Sequence, residues 1–310
     1  MGIHWESTHS TFRLTIASPT NNRQGSNVSF QMEGNGRAVV MLHSSMSSKS
    51  QWRALMQSLQ GRYRVIAIDL LGYGESPPPR RKSDYRLADE ARHVERILNR
   101  VLLPNEPYHL VGHSYGAAVA LCLAQCSPRK LASLTLFEPV AAYLLPPNDP
   151  GRVEFEALGE QVRHCAAAGD AAGGAAPFVD YWAGAGSFAA LSEVKQRAFA
   201  TQLPKVLMEF GAIALERRVT GWLGNIAAPV HILFGRRSPM APRRIVATLA
   251  AHIAHADCTE VAAGHMAPIT HAELVNPLIA QFIADAEKQT RQRGATAQIF
   301  GMCPLRWSAS

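Results

Sequence analysis

What the chain lacks narrows its possible roles before any motif is read. No apolar run approaches the roughly 18 residues that span a bilayer. Met1 to Ser10 hold no basic segment followed by an apolar stretch, so a secretory leader is not expected and the cytoplasm is the expected location. Cysteine is sparse: Cys122, Cys126, Cys165, Cys258 and Cys303 are odd in number, scattered and free of any C-x-x-C pair. That argues against a disulfide framework and against a zinc site. Twelve histidines fall in no H-E-x-x-H or similar ligand spacing, so neither a metal nor another cofactor is expected. The excess of basic residues gives a formal charge of +7. Yet they come as short clusters such as Arg80-Arg81-Lys82 and Arg243-Arg244 with no interleaved aromatics. They read as solvated surface, not a nucleic-acid face.

What is present is a rhythm. Residues 11–18 and 28–33 alternate well enough to be strands, and Gly34-Asn35-Gly36 supplies a turn. Short continuous apolar runs follow at 38–43, 64–70, 108–112 and 131–137, the pattern of strands buried on both faces. Between them lie helical stretches. One carries Trp52, Leu55, Met56 and Leu59; another carries Leu87, Ala91, Val94, Ile97, Leu98 and Val101. A small-residue helix runs from Gly116 to Ala124 and is closed by Ser127-Pro128. Alternation at this spacing means an α/β protein with a mostly parallel, doubly wound sheet. The rhythm stops near Val140 and resumes with a strand at 229–235, a helix through Ile245, Val246 and Leu249, and a weaker strand at 258–264. A last helix is expected from Thr270, where Thr270 and Glu273 fit a capping box. Residues 11–140 and 227–288 are therefore expected to form the core, 141–226 a helical insertion, and 1–10 and 289–310 loosely attached tails.

Gly112-His113-Ser114-Tyr115-Gly116 is a G-x-S-x-G sequence between a buried strand and a helix. A serine at such a turn is forced into an unfavourable backbone conformation, and close packing calls for glycine on both sides. The helix N-terminus behind it favours developing negative charge. Here the chain resembles the α/β-hydrolase superfamily, in its lidded branch, over residues 28 to 288. The resemblance also rests on Asp69-Leu70-Leu71-Gly72-Tyr73-Gly74-Glu75-Ser76, which looks like the family's D-x-x-G-x-G-x-S turn. Leu42-His43-Ser44-Ser45-Met46 and Gly264-His265-Met266 complete it.

The resemblance implies that Ser114 is the nucleophile and His265 the general base, with His271 a weaker competitor and His113 part of the elbow. It implies an oxyanion hole made by the backbone N–H groups of Tyr115 and Ser45. Relatives usually have glycine where this chain has Ser44, and a hydroxyl of Ser44 or Ser45 is an alternative extra donor. The chain departs from the family at the acid, because Gly235-Arg236-Arg237-Ser238-Pro239 carries serine where an aspartate is usual. Some members take the acid from the end of the preceding strand, where this chain has Glu138. Asp257, or a serine–histidine dyad with water in place of the acid, remains open beside it. The insertion 141–226 is expected to be a lid, with Phe178 and Trp182 among the aromatics that either line an acyl or aryl pocket or pack the lid onto the core. The expected activity is cofactor-free hydrolysis of an ester or similar small acyl compound through an acyl-enzyme on Ser114. Carbon–carbon bond hydrolysis on the same residues is the nearest rival, and a non-catalytic ligand-binding protein of the same fold is the other. The expected partner is a small-molecule substrate.

Overall fold

The computed structural model describes residues 29–300 apart from 81–82, 128–130 and 218, with the backbone alone for 293–300. The strand expected at 11–18 lies outside the described residues. Among the described residues seven strands form one sheet: β1 (Phe30–Glu33), β2 (Ala38–Leu42), β3 (Arg64–Ile68), β4 (Tyr108–His113), β5 (Leu131–Phe137), β6 (Val230–Gly235) and β7 (Ala256–Val261), in the order β1-β3-β2-β4-β5-β6-β7. Only β1 runs antiparallel to its neighbour.

Because side chains alternate along a strand, the apolar runs supply two separate cores. Val40, Leu42, Ile66, Ile68, Leu110, Leu134, Leu136 and Ile232 face one layer, which includes α2 (Leu87–Val101), α3 (Tyr115–Cys126) and α7 (Met240–His252). Val39, Met41, Val65, Ala67, Val111, Phe137 and Leu233 face the other, with α1 (Arg53–Leu59) and α9 (Ala272–Phe300). Helices on both faces explain why these strands read as continuous apolar runs and not as alternating ones.

Between β5 and β6 the chain forms α4 (Pro150–Ala167), α5 (Ala171–Ala183) and α6 (Glu193–Ala214), and none of the described residues there is in a strand. These helices pack on one another, and α4 also packs against α7. Two sequence expectations near the C-terminus are corrected. The capping box at Thr270 does not form: Thr270 ends a short helix, α8 (Ala267–Thr270), and its hydroxyl donates to Met266 O. The last helix starts at Ala272 and runs on to Phe300, so the tail expected from residue 289 begins as a continuation of α9. Its buried face is Val275, Ile279, Ile283 and Ala286, whereas Leu274 is exposed. No helix among the described residues is long and apolar enough to cross a membrane.

Candidate active site

Parallel strands deliver their C-terminal ends to one edge of the sheet, where ligand sites of such folds gather. At that edge β4 ends in His113, and the chain turns through Ser114 directly into α3. Ser114 has φ 56° and ψ −118°, a conformation that costs a non-glycine residue about 1–3 kcal/mol. Both flanking glycines are required by close approach. A Cβ on Gly116 would lie 2.4 Å from the carbonyl oxygens of Leu42 and His43, and one on Gly112 would lie 2.6 Å from Ala117 Cα. The absence of those side chains lets the start of α3 sit against the end of β2. Ser114 N–H still continues the sheet, donating to Phe137 O at 2.9 Å.

His265 lies in the loop between β7 and α8. Its Nε2 is 2.9 Å from Ser114 Oγ, and its Nδ1 is 2.6 Å from Glu138 Oε2. A carboxylate only accepts, so Nδ1 carries the ring proton and Nε2 is left to accept from the serine hydroxyl. Glu138 follows β5 in a left-handed backbone conformation (φ 43°) and is fully buried. Its second oxygen accepts from Gly235 N–H at 2.5 Å. The carboxylate from the end of β5 thus reaches across to the first residue of the turn where the family usually carries its acid. Ser238 is buried in that turn, and its hydroxyl has no hydrogen-bond partner among the described residues. Asp257 sits exposed near the start of β7, at the opposite edge of the sheet, and His271 bonds to Thr270. Neither joins the cluster of Ser114, His265 and Glu138.

The loop after β2 forms the other wall. His43 accepts from Leu70 N–H through Nε2 and donates through Nδ1 to Ser44 O; burial lowers its pKa to about 4, so the ring is neutral. Ser44 donates both its N–H and its hydroxyl to Gln51 Oε1, and Ser45 donates its hydroxyl to Glu209 Oε2 at 2.6 Å. The extra donor considered from sequence is therefore not free: both hydroxyl protons are already engaged. The backbone N–H groups of Ser45 and Tyr115 have no acceptor among the described residues, which leaves them able to hold an oxyanion.

Gln51 and His113 were not singled out for this role by sequence, yet they tie the two walls together. Gln51 Nε2 donates to His113 Nδ1 at 3.1 Å, and His113 Nε2 donates to His265 O at 2.9 Å. Burial, reinforced by nearby His265, holds the His113 pKa well below the usual histidine range, so this ring is a fixed neutral link.

Phe155, Phe178, Trp182, Val206, Phe210 and Ile213 enclose the space over Ser114, together with Ser45, Tyr115, Val140 and Glu209. Phe178 and Trp182 therefore line the cavity as well as packing within the inserted helices. The Trp182 ring lies over His265, with centroids 4.0 Å apart. The space over the serine is only ≈ 20 Å³, room for about one water. Phe155, Phe210 and Ile213 also border a neighbouring cavity of ≈ 250 Å³.

A carbonyl group placed against Ser114 Oγ would meet a hydroxyl, an imidazole nitrogen that accepts its proton and two backbone N–H donors in one largely apolar pocket. Comparison with known proteins agrees with the fold. A solved hydrolase from Pseudomonas aeruginosa PA01 superposes with a TM-score of 0.68 at 21% identity, covering 82% of this chain and 93% of that one. A protein named "Probable lysophospholipase BODYGUARD 1" from Arabidopsis thaliana is 34% identical over 142 residues, 44% of this chain and 30% of that protein. A haloalkane dehalogenase from Agrobacterium fabrum is 36% identical over 107 residues, 34% of each chain. The matched region thus spans about a third of the length of these curated relatives. The family model for the alpha/beta hydrolase fold matches residues 37–272, most of the sequence and every strand but the first, and the chain belongs to that family.

Proposed function

We propose that the protein is a serine hydrolase that cleaves an ester or similar small acyl compound through an acyl-enzyme on Ser114. The observation that carries this reading is the relay Ser114–His265–Glu138, with contacts of 2.9 and 2.6 Å in a buried setting. His265 Nε2 takes the hydroxyl proton as Ser114 Oγ attacks the carbonyl carbon, and Glu138 stabilises the imidazolium that forms. The oxyanion is held by the N–H groups of Ser45 and Tyr115. The imidazolium returns its proton to the departing alkoxide. Water, deprotonated by the same ring, then attacks the acyl-enzyme; the acyl–Oγ bond breaks, the imidazolium returns the proton to Ser114 Oγ and the acid is freed.

In this reading residues 141–226 are a lid over a core made of 227–288 and the described part of 11–140. The support is that its side chains roof the serine, with Trp182 stacked on the base. The apolar lining favours an alkyl or aryl acyl group. A relative named as a lysophospholipase is consistent with ester chemistry, and serine at position 114 sets this chain apart from enzymes of the fold that use an aspartate nucleophile.

A fluorophosphonate probe tests the reading, because only an activated serine reacts with it. Labelling is expected at Ser114, located by peptide mass spectrometry, and is expected to vanish in Ser114→Ala and in His265→Ala. Against a panel of esters both variants should lose a factor of roughly 10³ or more in turnover while keeping the wild-type circular dichroism. A folded protein that neither labels nor hydrolyses any ester would instead support a ligand-binding role.

A further inference from the structure

A buried polar network forms part of the cavity wall through Glu209 and takes no part in the proton relay. Lys205 and Glu209, one turn apart on α6, are 7% and 2% exposed. Lys205 Nζ donates to Glu209 Oε1 at 2.7 Å, to Tyr85 OH at 3.0 Å and to Glu90 Oε1 at 3.2 Å. It also lies 4.8–4.9 Å from the ring centroids of Tyr73, Tyr85 and Tyr115. Tyr85 donates to Glu90, and Tyr115 donates to Tyr85 at 3.0 Å. Burial raises the Glu209 carboxyl above its usual range, against the opposing pull of Lys205.

Taking these charges out of water is costly, and well-packed apolar residues often serve stability equally well or better. Fold stability alone therefore gives little reason for this network. Its two outward ends supply one. Glu209 Oε2 accepts the hydroxyl of Ser45 at 2.6 Å, and Tyr85 OH accepts the hydroxyl of Tyr115. Ser45 and Tyr115 are the residues whose backbone N–H groups face the proposed oxyanion. Met46, next to Ser45, has φ 55°, a conformation that persists only when its surroundings over-determine it.

We infer that Glu209, held by Lys205, is a positioning residue that latches the oxyanion loop through the Ser45 hydroxyl. The same network steadies the other donor through Tyr85 and Tyr115. Because α6 belongs to the inserted helices, seating of those helices and order in the oxyanion loop are one event. This inference rests on the serine hydrolase reading above.

The test is a double-mutant cycle of Ser45→Ala and Glu209→Ala on ester hydrolysis, with thermal melts and fluorophosphonate labelling of each protein. Ser45→Ala keeps the backbone N–H and deletes only the latch. Its kcat should fall roughly tenfold, a small part of what losing a whole oxyanion donor costs, while KM stays within about twofold of wild type. Glu209→Ala should fall at least as far, and the double variant should be no worse than Glu209→Ala alone. Unchanged kcat in Ser45→Ala overturns the latch. Additive losses, or an effect confined to KM, overturn it too, since they assign the two side chains separate or substrate-binding roles. If Glu209→Ala fails to fold, Ser45→Ala alone decides. Wild-type protein that does not label at Ser114 defeats the hydrolase reading itself, whereas labelled wild type with a fully active Ser45→Ala defeats only the latch.

Discussion

Glu138→Gln is the sharpest perturbation of the proposed relay, because the structure dictates how the amide must sit. Glu138 uses one oxygen for Gly235 N–H at 2.5 Å and the other for His265 Nδ1–H at 2.6 Å. A glutamine has one acceptor and one donor end. Turning the NH2 toward Gly235 would press two donors together, so the amide oxygen stays on Gly235 and the NH2 faces His265. Nδ1 must then accept, which moves the ring proton to Nε2 and points it at Ser114 Oγ. In that tautomer the ring cannot take the hydroxyl proton, and the imidazolium loses its charged partner. The expected loss is on the order of 10⁴ in kcat. Shape and burial are conserved, so the circular dichroism and the melting profile should stay close to wild type. The assay is kcat on an ester that the wild type turns over, run beside the rate of fluorophosphonate labelling, which needs the same proton transfer. A Glu138→Gln variant within tenfold of wild type in both assays would refute the assignment and leave a serine–histidine dyad in its place.

Ser238 occupies the usual position of the acid, yet its hydroxyl has no hydrogen-bond partner among the described residues, so Ser238→Ala should change kcat less than about threefold; a loss near that of Glu138→Gln would show that the turn supplies the relay after all. Phe210, with Phe155 and Ile213, borders both the small cavity over Ser114 and the larger one beside it. Phe210→Ala should shift preference toward longer acyl chains at a stability cost of about 3 kcal/mol, and an unchanged chain-length profile in folded protein would show that the two spaces do not join. His43 is buried with its pKa lowered to about 4, so the unfolded chain binds more protons than the folded one between that value and about 6.5. Its contribution is intact above pH 6.5 and declines as pH falls toward 4, by on the order of 1–3 kcal/mol. Urea midpoints at pH 7 and pH 4.5 should show the decline, and His43→Gln should make it shallower, the rest coming from other buried histidines such as His109 and His113; equal slopes in the two proteins would refute the attribution.

The sheet was legible because its signal is local. Apolar runs at 38–43, 64–70 and 131–137 are strands buried on both faces, and each boundary lies within a few residues of the observed one. The contact of Ser114 with His265 lies where its flanking glycines pointed, and that of Glu138 with His265 lies where the serine at 238 directed attention. Gln51, Lys205 and Glu209 announce nothing. They are ordinary polar residues on helical segments, and their meaning depends on a partner such as Ser45, 164 positions away from Glu209. The capping pattern at Thr270 failed for a related reason: the hydroxyl bonds backward to Met266 O in a short preceding helix, which no window of spacing reveals. The continuation of α9 past residue 289 was missed because its sequence there is polar, and polar helices carry no apolar stripe to read.

Three residues around the candidate site hold backbones that favour glycine: Met46, Ser114 and Glu138 have φ of 55°, 56° and 43°. Each lies at the end of a different strand, and each carries about 1–3 kcal/mol of conformational energy that relaxation would release. The site is therefore loaded like three sprung catches around one door frame. Cooperative unfolding of the sheet need not come first when such a region lets go; opening can be confined to the loops that gain most from it. Mild denaturant should then silence turnover at concentrations where the helical signal is still native. Amide protons at 46, 114 and 138 should exchange well ahead of those in the middle of β2, β4 and β5. The durability of the proposed activity and the durability of the fold would be two different quantities, with the first the smaller.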